Sequence, residues 1–169
     1  MSELDPTGHG ELRSGRRVGI GLGNFLVFSV AGGTRAASSA RAELRELLGT
    51  RIDPSTIELA QLLLSELVSN CVVHGAAGEP DMWIDVSAAT FPEMLRVEVS
   101  DGGPTFRHEP VLPAVDAGSG RGLYLVAQIA SRWGISERGV ARVWFELPRK
   151  ALEVSRPPLP TPIVALVPV

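Results

Sequence analysis

Residues 53–75 constrain this chain more than any other segment. Asp53-Pro54 opens a helix, with Asp53 as N-cap and Pro54 at the first helical position, where a missing N–H costs nothing. Ser55-Thr56-Ile57-Glu58 offers an alternative capping box slightly further in. The spacing predicts a helix running to His74, with Gly75 as its stop. Ile57, Leu59, Leu62, Leu63, Leu64, Leu67, Val68, Val72 and Val73 cover more than one face. A helix that apolar is packed on both sides or against a sheet. One polar stripe interrupts it: Glu66, Asn70 and His74 follow each other at four-residue steps and share a face. A buried, unpaired carboxylate or amide costs a few kcal/mol, on the order of 2–7. The stripe is therefore either a solvated face or a set of groups that meet a partner.

The rest of the chain supplies what such a helix packs on. Asn24–Val30 is β-branched and aromatic and reads as a strand. After the turn Gly32-Gly33-Thr34, the apolar spacing of Ala37, Ala40, Leu44, Leu47 and Leu48 is helical, and Gly49 ends that helix. Met82–Ala88 and Met94–Ser100 alternate apolar and polar, joined by Thr90-Phe91-Pro92-Glu93 as an antiparallel hairpin. Gly102–Ser119 is a long loop with Pro104, Pro110 and Pro113, and long loops in compact domains tend to carry function. Gly122–Ser131 reads as a helix; Trp133–Ser136 and Ala141–Leu147 form a last hairpin around Arg138-Gly139. The order β-α-α-β-β-loop-α-β-β lacks strict βαβ alternation. It implies an α+β fold with a mixed, mostly antiparallel sheet and helices on one face. The expected organisation is a disordered tail over 1–23, a domain over 24–148, and a Pro-rich tail over 149–169.

Composition narrows the class. A net charge of −3 and a pI near 5.6 are not the footprint of a nucleic-acid binder, which is usually basic. The single cysteine, Cys71, cannot make an internal disulfide, which suits a reducing compartment. Met1–Arg17 has no apolar core of a secretory signal, and no unbroken apolar run approaches the ~20 residues of a membrane span. A cytoplasmic chain that binds neither nucleic acid nor membrane is expected.

Three short segments carry the candidate chemistry. The first is the stripe of Glu66, Asn70 and His74. The second is Asp101-Gly102-Gly103, an acceptor-only carboxylate at a strand end beside glycines that let a flat ligand approach the backbone; it also fits a plain Asp-Gly turn. The third is Gly118-Ser119-Gly120-Arg121-Gly122-Leu123, alternate glycines opening a helix. Free N–H groups and the positive helix end suit an anion such as phosphate, although a bare glycine hinge reads the same way. It lacks the preceding strand of a dinucleotide fingerprint and the Gly-Lys-Ser/Thr ending of a P-loop.

Order and spacing together resemble the GHKL (histidine-kinase-like) superfamily of ATP-binding domains, and within it the small bacterial anti-sigma-factor serine/threonine kinases. The likeness covers roughly Phe25 to Leu147. Glu66–Gly75 looks like the family's N box, Asp101-Gly102-Gly103 its G1 box, and Gly118–Val126 its G2 box; Arg142–Leu147 resembles its last strand. The resemblance implies a Bergerat-type two-layer sandwich that binds ATP and Mg²⁺. It implies Asn70 as the Mg²⁺ ligand, Glu66 as general base toward a serine hydroxyl, and Asp101 as acceptor from the adenine amino group. Gly103 would let the adenine pack closely. Gly118, Gly120 and Gly122, with Arg121 and Leu123, would shape the loop over the phosphates. It further implies a sigma factor or a STAS-type anti-sigma antagonist as partner, and a homodimer. Arg142, just before the valine of the last strand, stands where members commonly carry a threonine near the adenine. That departure supports an alternative: a non-catalytic regulatory module of the same fold, acting by protein contact.

Overall fold

A computed structural model describes residues 16–19, 24–74, 81–103, 121–136 and 140–149. Asp53 begins the helix that organises the rest. Its carboxylate accepts the Thr56 backbone N–H at 3.0 Å, the third residue of the helix, and the Ser55 hydroxyl at 2.6 Å. The Ser55-Glu58 box is thus not used; Ser55 donates back to the cap instead. Helix α2 then runs Pro54–His74, between α1 (Ala36–Leu48) and α3 (Arg121–Ile129).

The strands are β1 (Arg16–Gly19), β2 (Phe25–Ala31), β3 (Trp83–Phe91), β4 (Met94–Ser100), β5 (Arg132–Ser136) and β6 (Arg142–Pro148). They form one sheet in the order β1-β2-β3-β4-β6-β5. Each pairing is antiparallel, so among the described residues the sheet is not mixed as expected but wholly antiparallel. The physical reason lies in the connections. β1–β2, β3–β4 and β5–β6 are hairpins, the link through α1–α2 returns β3 antiparallel to β2, and the link through α3 passes over the β6 position so that β5 pairs antiparallel with β6 and not with β4.

Helices lie on one face of the sheet. Phe28, Val30, Ile84, Val86, Leu95, Val97, Val99, Val143, Phe145 and Leu147 point to them and are buried with α2's Leu63, Leu64, Leu67 and Val68. The period-2 alternation of each strand assigns the remaining side chains to a second, helix-free face. By length and composition α2 could cross a membrane, but half of its apolar window is buried inside the protein, as for a core helix.

Two local expectations shift. Residues 16–19, expected within the disordered tail, form the edge strand β1, with Val18 opposite Phe28. Main-chain hydrogen bonds to β2 suffice for an edge strand, so no apolar alternation announces it. β3 continues through Phe91, which pairs with Met94, so the hairpin connection shortens to Pro92-Glu93. Residues 1–15, the stop at Gly75, the loop over 104–119 and the tail over 150–169 lie outside the described residues.

The cap carries the first prediction. Asp53→Ala should lower stability by about 1 kcal/mol by removing the acceptor for Thr56 N–H. Urea unfolding should show a lower midpoint with an unchanged slope.

Candidate functional site

Glu66 and Asn70 fall one turn apart on the half-buried edge of α2 that meets the first turn of α3. Gly122 lies against them. A Cβ there would come within 3.0 Å of Glu66 Oε2 and 3.2 Å of Asn70 Nδ2. A glycine is what lets the first turn of α3 approach the polar stripe so closely. Leu123 and Val126 are buried below, anchoring α3 on the core. His74, the last residue of α2, is exposed and stands at the far end of the stripe.

Asp101 flanks this cleft. It follows β4 directly and is 7% exposed, in a tight turn whose geometry its own neighbours impose. Gly102 adopts φ +79°, a left-handed conformation that favours glycine. The Gly103 N–H then donates to Asp101 Oδ1 at 3.0 Å. Ser100 braces the turn from the strand side: its Oγ donates to the Ala141 carbonyl at 2.8 Å and accepts the Gly102 N–H at 3.3 Å. The Ala141 N–H donates to the Gly103 carbonyl at 3.2 Å.

Cys71 ties Asp101 to α2. Burial first, and the negative charge of Asp101 second, push its thiol up from 9.0 to about 12, against a smaller opposing effect of a backbone hydrogen bond. One carboxylate, Glu66, thus lies against Gly122 at the seam of α2 and α3, and another, Asp101, sits at the end of β4, a strand that packs on α2.

Of the residues singled out from sequence, Glu66, Asn70 and Gly122 come together, with Leu123 packed beneath. Asp101 and Gly103 form the turn at the other end. Arg121 opens α3. Gly118 and Gly120 lie outside the described residues. Arg142 does not stand where the sequence reading put it. Ala141 and Val143 are buried toward the helices, so the pleat turns Arg142 onto the helix-free face, where it is exposed and lines the same concavity as Ser29 and Ser87. The position that meets the Asp101 turn is Ala141, together with Ser100; sequence reasoning missed both. The signal available was the strand period itself, which places Ala141 and Val143 on one face.

The donor set beside Gly122, a carboxylate and an amide at the start of a helix, suits a Mg²⁺-nucleotide. Magnesium takes few protein ligands beside phosphate oxygens and water, so one amide oxygen from Asn70 is an adequate protein contribution. Among the described residues no group of three His, Cys, Asp or Glu side chains is placed to hold a metal alone.

The Cys71 thiol generates a prediction of its own. A group whose folded pKa is raised releases its proton in the unfolded chain first. Its contribution to stability is thus full below pH 9 and is lost as pH rises toward about 12. Cys71→Ala should flatten the fall in stability over that window, measured by urea unfolding at successive pH values. At pH 8 the native protein should leave Cys71 unlabelled by a thiol reagent until denaturant is added.

Comparison with known proteins extends this picture. A family model described as histidine kinase-like ATPase domain matches residues 32–145, more than half of the chain. No curated protein sequence matches at a significant level. The fold is similar to the crystal structure of the RsbU and RsbW domains of Rv1364c from Mycobacterium tuberculosis, at 27% identity and a TM-score of 0.54. That match covers 75% of this chain but 33% of the other, so the chain spans about a third of that structure's length.

Proposed function

Because the chain belongs to the histidine kinase-like ATPase domain family, we propose that it holds Mg-ATP in the cleft between α2 and the first turn of α3 and acts as an anti-sigma regulatory factor with serine/threonine kinase activity. The observation that carries this reading is the convergence on Gly122, whose backbone approaches Glu66 and Asn70 so closely that an added Cβ would crowd both. The neighbour titled for its RsbW domain supports a regulatory setting.

In this reading Asp101, buried and accepting the Gly103 N–H, is the acceptor for the adenine amino group. Asn70 contributes one oxygen to magnesium. The N–H groups at the start of α3 face the phosphates, aided by the helix dipole. Bound Mg-ATP supplies the phosphoryl group and neutralises its charge; the protein's work is positioning. Glu66 takes the proton from the attacking hydroxyl as the serine O–P bond forms and the bond between the β–γ bridging oxygen and the γ-phosphorus breaks. The substrate is a serine of a STAS-type antagonist, and the regulated partner is a sigma factor, engaged by a homodimer. The non-catalytic alternative rested on Arg142 beside the adenine, and Arg142 is on the opposite face of the sheet.

Thermal unfolding with nucleotide tests the binding step. Mg-ATP at about 100 times its Kd should add roughly 2.7 kcal/mol, a rise of several degrees at about 2–4 °C per kcal/mol. Asp101→Ala should abolish the rise and Asn70→Ala its magnesium dependence. No shift at millimolar Mg-ATP would overturn the reading. Glu66→Gln should keep the shift but lose phosphotransfer to a purified antagonist, by about 10²–10⁴-fold.

Gly122→Ala separates the cleft from the fold. Alanine gains up to about 1 kcal/mol of helix propensity over glycine, while the added methyl meets only the movable ends of Glu66 and Asn70 and the Glu66 Cβ. Stability should hold or rise as nucleotide affinity falls, read by denaturation and by calorimetric titration.

A further inference from the structure

The helix-free face of the sheet has two halves. One is polar and braced. Arg96 bridges Glu98 and Glu146, at 2.8 Å each, while stacking 3.9 Å from the Trp144 ring centre. Trp144 in turn lies over Gly134, where a Cβ would meet the indole at 2.8 Å. The other half is apolar. Phe25 pairs with Ala89, Phe91 with Met94, and Val27 lies one step along β2, all on the helix-free side. Phe25 is 50% and Phe91 46% exposed. A concavity of about 530 Å³ has Phe25, Val27 and Ala89 on its apolar side and Arg96, Glu98 and Arg142 on its polar side.

We propose that residues 157–169 of this same chain dock on that apolar half. Three observations select this occupant. The first is where the chain leaves the sheet. Pro148 pairs with Met94, exposed on the helix-free face, and Arg149 N–H donates to the Glu93 carbonyl at 2.9 Å. The tail therefore starts beside Met94 and Phe91. The second is composition. Of the two chain ends outside the described residues, 1–15 has no apolar run, whereas 163–167 reads Ile-Val-Ala-Leu-Val. The composition, with Pro157, Pro158, Pro160, Pro162 and Pro168, disfavours a competing helix. The third is reach. From β6 to β2 there are three strand spacings, about 14 Å at ~4.8 Å each. The stretch from Lys150 to Thr161 has a reach of roughly 37 Å at about 3.1 Å per residue. The apolar run reaches the patch easily and is tethered close to it, which raises its effective concentration.

The docking is read by covering a reporter thiol in the patch. Ala89→Cys, in a Cys71→Ala background, places the reporter between Phe25 and Arg96. Its reaction rate with a disulfide thiol reagent should be about tenfold lower in the full chain than in a chain ending at Arg149, as for a segment docked about nine-tenths of the time. Val164→Asp with Leu166→Asp, which keeps the length, should restore the faster rate. The protection should not depend on protein concentration. Equal rates in the full and shortened chains would overturn the proposal. So would protection that grows with concentration in both chains, since a second copy would then be the occupant.

Discussion

Everything in this molecule depends on how α2 divides its surface. Leu63, Leu64, Leu67 and Val68 are fully buried against the sheet and flanking helices. Shortening any of them would cost about 2–5 kcal/mol. That packing pins the helix in rotation, and the rotation decides where Glu66 and Asn70 point. Because the apolar residues claim the sheet side, the polar stripe is delivered to the seam with α3. Gly122 then sets the width of that seam. The cleft is thus a consequence of core packing, with one residue type guarding its volume.

The opposite end of the cleft is built from a strand that stops. β4 pairs along its length with β3 and β6, and at Asp101 the chain leaves the sheet through a left-handed glycine. A carboxylate buried at such a point needs donors, and Gly103 N–H supplies one. Ser100 and Ala141 lock the turn to the start of β6, so the position of Asp101 is inherited from the sheet. Rigid strands and a rigid helix thus hold both ends of the candidate nucleotide site. Phosphoryl transfer, which relies on positioning more than on covalent chemistry, favours such a frame.

The two faces of the sheet do different work. One is closed by helices and frames the cleft. The other carries Arg142, the Arg96–Glu146–Trp144 assembly and the apolar half around Phe25 and Phe91. Glu146 is 3% exposed there, and Arg96 and Arg132 offset the cost of covering its charge. A sheet face so differentiated is suited to contacts with chain segments or partners, and its concavity extends to Gly102, beside Asp101.

By itself the sequence determined the helix from Pro54 to His74 with its Asp53 cap, the alternating strands β2, β3, β4 and β6, and the shared stripe of Glu66 and Asn70. These are local properties, written in periods of 3.6 and 2 and in cap chemistry. Matching motifs also singled out Asp101 and Gly122. Tertiary structure alone decided the rest. β1 is held by backbone pairing, which leaves no side-chain signature. The sheet is antiparallel throughout because of how connections return the chain. Arg142 and Ala141 exchange the roles their order along the chain suggests, because the pleat, set by the burial of Val143, sends neighbours to opposite faces. Cys71 and Asp101, 30 positions apart in the chain, feel each other only because α2 packs beside the end of β4. Distances of that kind depend on how whole elements seat on one core, and no local pattern encodes them.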